Sequence, residues 1–75
     1  MKGIDMHQQV MNAELNRYIG TYNGEYVTAM QGGTILYRID ANSVYNNTGA
    51  LVGFMDNGIA RACSDSKQIL FHLVK

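Results

Sequence analysis

Proline and tryptophan are absent, cysteine occurs once, and charged residues make up 16% of the chain against about 25% in an average globular protein. Each shortage excludes something. Without proline, no strand is demoted to a sheet edge on that ground. A single cysteine, Cys63, rules out an intramolecular disulfide. Six acidic residues balance six basic ones, and a net charge of zero favours self-association. The basic residues are also dispersed: Lys2, Lys67 and Lys75 lie toward the termini, while Arg17, Arg38 and Arg61 stand singly. A nucleic-acid partner needs a basic face that neutralises several phosphates, so none is expected.

No apolar run approaches the ~20 residues that span a bilayer as a helix, so no membrane partner is expected either. The opening MKGIDMHQQVMNAEL lacks the apolar centre of a secretory signal, and a cytoplasmic location is the expectation. The triplet NNT at 46–48 fits the glycosylation pattern, which matters only in a secreted eukaryotic protein.

Residues that carry chemistry are just as sparse. His7, His72, Cys63 and the aspartates do not fall at zinc-ligand spacings. No G-x-S-x-G nucleophile elbow occurs. QGG at 31–33 joins two strand-like segments instead of opening a helix, so it lacks the setting of a phosphate-cradling loop. Cys63 has one cationic neighbour in sequence, Arg61, and reads as a small half-buried hydrophobe. No catalytic residue, metal ligand or cofactor-binding residue is singled out, no cofactor is expected, and intrinsic turnover is not expected.

What the chain does have is periodicity. Its 75 residues make one domain, 1–75, which buries only about 60% of its unfolded surface. With no disulfide or metal in view, association is the remaining compensation, and a homo-oligomer is expected. DMHQ at 5–8 has the form of a capping box, with Ile4, Met11, Leu15 and Tyr18 at helical spacings behind it and Gly20 placed to end the helix. These features predict a helix over about 5–18. From Tyr22 onward the period shortens. NG at 23–24 and DNG at 56–58 are hairpin turns, and DANS, NNTG and SDS supply further turn residues. Strands are predicted at 25–30, 34–40, 43–46, 50–55, 58–62 and 68–74.

Within this region GTILYRID, 33–40, returns as GALVGFMD, 49–56, with a fainter copy GEYVTAMQ at 24–31. Asp40 and Asp56 end their copies at turn-forming positions. Side-chain bonds to the turn backbone explain them better than paired working carboxylates do. Strand alternation assigns Tyr26, Thr28, Met30, Ile35, Tyr37, Ile39, Leu51, Gly53 and Met55 to a core face. The opposite face, with Val27, Ala29, Leu36, Arg38, Val52 and Phe54, is half apolar, which implies cover by the helix or by a second subunit.

The expected fold is therefore α+β: a short N-terminal helix packed on a curled, mostly antiparallel β-meander of five or six strands. An all-β chain with a floppy N-terminus is the alternative. The expected role is a small non-catalytic protein–protein interaction module, of the size of inhibitors and accessory factors of bacterial, phage or mobile-element origin. Candidate interface residues are Val27, Leu36, Val52, Phe54, Tyr22, Tyr26 and Tyr45, since tyrosine offers rigid amphipathic contact area. The alternative is a ligand-binding or enzymatic homodimer with its pocket at the subunit interface.

Overall fold

Positive φ at both Asn57 (57°) and Gly58 (84°) makes the type I′ turn that a DNG sequence favours, and it joins two strands of a closed sheet. The computed structural model describes residues 8–74. Eight strands follow one another in them: β1 (Gln8–Met11), β2 (Tyr18–Tyr22), β3 (Tyr26–Ala29), β4 (Ile35–Asp40), β5 (Ser43–Asn46), β6 (Leu51–Asp56), β7 (Ile59–Ala62) and β8 (Ile69–Val74). Each strand pairs antiparallel with the next, and β8 returns to pair with β1 through Gln9↔Val74, Val10↔Leu73 and Met11↔His72. The result is an up-and-down barrel with no free sheet edge.

Two expectations are corrected. The chain is all-β among the described residues, not α+β: in place of a helix over 5–18 it has β1, a loop over 12–17 and the start of β2. The expected capping-box residues Asp5, Met6 and His7, with Ile4, lie outside the described residues. Leu15 sits at φ 59°, which no α-helix permits, and Asn12 bridges to Asn16 and to Arg17 instead. The apolar residues at helical spacing form no buried face: Leu15 (53%) and Tyr18 (48%) are exposed, Met11 is half-buried, and the residue here that enters the barrel is Val10. Local helix propensity yields because β1 pairs on one side with β2 and on the other with β8, whose ladder groups would otherwise be left open. Second, in place of a curled meander of five or six strands the described residues form a closed barrel of eight. The strands β3 to β8 themselves lie within one or two residues of the six predicted segments.

Closure of so small a barrel needs strong coiling, and the chain obtains it from β-bulges. Register steps occur in β1–β2, β3–β4, β5–β6 and β7–β8, always in the hairpins with longer loops. In each, the partner strand carries one extra residue: Ile19, Leu36, Val52 and Leu70. All four pack against the buried cluster of Val10, Val27, Ile39, Val44, Ala60 and Phe71. Each bulge also resets the alternation. Ile35 and Leu51, assigned by strict alternation to the core face, are exposed, while Leu36 and Val52 are drawn onto the core. Tyr26 and Thr28 are only half-buried, and Val27 between them is the core residue.

The bulges expose an internal symmetry. The first-strand core residues are Val10, Val27, Val44 and Ala60. Their cross-strand partners are Gly20, Tyr37, Gly53 and Phe71. Glycine and aromatic ring alternate around the barrel, so units one and three match, as do units two and four. The match extends to Asn12 and Asn46, Ala29 and Ala62, Ile35 and Ile69, and Leu36 and Leu70. The Tyr37 and Phe71 rings meet inside, with centroids 4.8 Å apart. Gly20 and Gly53 occupy the tight corners, where a Cβ would collide with the carbonyl oxygens of Thr28 and Arg61. Gly20 is thus a mid-strand corner and not a helix stop. The repeat GTILYRID/GALVGFMD is β4 and β6, the second strands of adjacent units. GEYVTAMQ covers β3, a first strand, and is not equivalent to them.

Candidate interaction surface

Antiparallel order sorts the connections onto two ends. The loops 12–17, 30–34, 47–50 and 63–68 lie at one end, and the tight turns 23–25, 41–42 and 57–58 at the other. Asparagine and aspartate organise both. Asn46 Oδ1 accepts from the Thr48 N–H (3.0 Å), the Thr48 hydroxyl (2.7 Å) and the Ala50 N–H (3.0 Å). Asn23 Oδ1 accepts from Glu25 and Tyr26 N–H, and Asp65 from Lys67 N–H.

Asp40 and Asp56, expected to form turns in this way, act differently. Each faces an arginine: Arg38 Nη1 lies 3.7 Å from Asp40 Oδ2, and Arg61 Nε donates to Asp56 Oδ2 at 3.3 Å. Among the described residues neither carboxylate accepts a turn N–H. They stand on separate exposed turns, each with its own partner.

His72, midway along β8, donates from Nε2 to the Ala13 carbonyl oxygen at 3.2 Å and so fastens the 12–17 loop to the barrel wall. Cys63 is exposed, with its thiol 3.7 Å from the Leu51 carbonyl oxygen. Tyr22 packs against the core at the turn end, and its phenol is held above the ordinary tyrosine range, first by burial and then by the Glu25 carboxylate. No ligand-sized cavity opens among the described residues, and no three His, Cys, Asp or Glu side chains there come together as a metal site. Nor is any helix among them long and apolar enough to cross a membrane.

Large apolar side chains are exposed in two places: Leu15 (53%), Tyr18 (48%) and Met30 (55%) in or beside the loops 12–17 and 30–34, and three more on the outer wall of β4, β5 and β6. Ile35 (41% exposed), Leu51 (44%) and Phe54 (47%) leave large apolar area in water. Tyr45 pairs with Leu51 on one side and with Arg38 on the other, Phe54 stands opposite Ser43 and Arg61, and Ile35 opposite Thr28. The Arg38 guanidinium sits over the Tyr45 ring, 4.6 Å from its centroid. The two ion pairs flank this patch on the side of the tight turns. An apolar and aromatic centre with arginine and a charged rim is the make-up of an interface core. Of the residues singled out from sequence, Phe54 and the half-buried Tyr45 belong to this wall. Val27 is fully buried in the interior, Leu36, Val52 and Tyr22 pack on the core, and Tyr26 is half-buried opposite Arg38. Sequence reasoning missed Ile35 and Leu51, because only the bulges turn them outward.

The fold and surface define a class: a small, closed, solid-cored up-and-down β-barrel with an apolar outer wall. Compared with family models, curated proteins and solved structures, the chain gives no match.

Proposed function

We propose that this protein is a small non-catalytic interaction module that docks on another protein, including copies of itself, through the β4–β6 wall. The observation that carries the reading is the exposure of Ile35, Leu51 and Phe54 on the wall that holds the Arg38–Tyr45 stack. Isolated surface apolars need no explanation, whereas several on one wall beside an arginine–tyrosine stack and ion pairs are the make-up of a contact surface. The zero net charge adds to this by leaving little long-range repulsion between copies. A cytoplasmic setting belongs to the same reading.

Leu51→Glu and Phe54→Glu test it. Both side chains lie outside the core, so circular dichroism should show the barrel intact. Mass by light scattering should fall for a self-associating chain, or binding to a captured protein partner should be lost. Folded variants with unchanged mass and unchanged partner binding would overturn the assignment.

A further inference from the structure

The barrel consists of two like halves, β1–β4 and β5–β8. Val10, Asn12, Gly20, Ala29, Ile35 and Leu36 in the first recur as Val44, Asn46, Gly53, Ala62, Ile69 and Leu70 in the second. The halves meet along two seams. One is β8–β1, where no covalent link exists and pairing runs only from Gln9↔Val74 to Met11↔His72. The other is β4–β5, paired from Tyr37↔Asn46 to Asp40↔Ser43 and joined by the two residues Ala41 and Asn42. The core spans both seams, since Tyr37 of one half stacks with Phe71 of the other.

The single covalent joint is also strained. Ala41 is held at φ 56° at the first turn position, where glycine is the usual occupant. The other two tight turns use residues that tolerate positive φ: Gly24 at 101° in one, Asn57 at 57° and Gly58 at 84° in the other. A two-residue hinge under strain between two halves that each need the other favours exchange between chains.

We propose that this protein exchanges half-barrels with a second copy of itself. In the dimer, β1–β4 of one chain closes against β5–β8 of the other, every seam contact is re-formed between chains, and the Ala41 hinge opens and releases its left-handed conformation. Opening both seams breaks most of the core, so monomer and dimer interconvert slowly and separate by size. This inference rests on the hinge and the seams, not on the β4–β6 wall, and the two fail separately.

The experiment uses the full chain, unfolded in denaturant and refolded over a range of concentrations, then analysed by size exclusion with light scattering. A dimer fraction that rises with refolding concentration is expected. Ala41→Gly, which accepts positive φ without strain, should lower the dimer-to-monomer ratio roughly fivefold or more. A Gln9→Cys, Val74→Cys chain, with Cys63→Ser to leave only the engineered pair, reports the topology. The oxidised dimer peak should run as a covalent dimer without reductant, because the β1–β8 seam then joins two chains. A dimer peak that runs as monomer means docking by intact barrels and overturns exchange while leaving the wall reading standing. If the cysteine variant does not fold, the first two arms decide. A chain that refolds only to monomer, or a dimer ratio unchanged in Ala41→Gly, overturns the proposal.

Discussion

Single residues at Gly20 and Gly53 set how tightly the wall can turn, because at each the next strand's carbonyl occupies the space of a Cβ. The obstacle is backbone held in a ladder, which cannot step aside as a flexible side chain can. Gly53→Ala should therefore cost at least about 2 kcal/mol in chemical denaturation, at the upper part of the range for overpacked sites. The same substitution at Gly33, where φ is 67° but nothing lies within reach of a Cβ, measures the conformational cost alone, about 1 kcal/mol. Tyr22 makes a pH prediction. Its pKa in the folded barrel is raised, so its contribution to stability is complete below the unfolded value of about 10. It is lost as pH climbs from there through the folded value, because the unfolded chain ionises first. Tyr22→Phe should remove that part of the alkaline loss of stability, as measured by denaturation at pH 8 and at pH 11.

Among the elements, the bulged hairpin is the unit, and its loop depends on side chains that replace missing backbone partners. Asn46 satisfies three donors of the 47–50 loop with one oxygen. Asn46→Ala should lose about 1–2 kcal/mol, while Asn46→Asp, which keeps the acceptor, should lose less. Asp40 and Asp56 give the contrasting case. Their arginine pairs are exposed to water, so Asp40→Asn and Asp56→Asn should each change stability by less than about 1 kcal/mol in thermal or denaturant unfolding. A larger loss would mean that the pairs hold the turns in place.

The whole molecule rests on a thin core. Among the described residues seven hydrophobic side chains are buried, and Phe71 is the largest of those fully so. Phe71→Ala should cost about 3–5 kcal/mol, comparable to the whole stability that a single core of this size supplies. The variant should show no cooperative unfolding transition at 25 °C by circular dichroism. A barrel that survived with a clear transition would mean that closure of the hydrogen-bond ladder, more than its filling, holds the structure.

Much of this molecule was legible in its amino acids alone. Asn-Gly and Asp-Asn-Gly mark turns because few residues tolerate positive φ. Alternating apolar residues marked β3 to β8 nearly to the residue. Four things were decided only by the tertiary structure. The segment from Gln8 to Tyr18 satisfies helical and extended patterns alike, and it becomes strand and loop because β2 and β8 both need β1 as a neighbour. Each bulge is a one-residue register step, invisible in a hydropathy pattern, yet it reverses which of Ile35 and Leu36, or Leu51 and Val52, meets water. The arginine partners of Asp40 and Asp56 are chosen by strand geometry, not by the turns in which the aspartates sit. Closure itself depends on contacts between residues more than sixty positions apart, such as Gln9 and Val74. Local sequence states what each segment prefers, but only the ladder that joins the first strand to the last determines which preferences prevail.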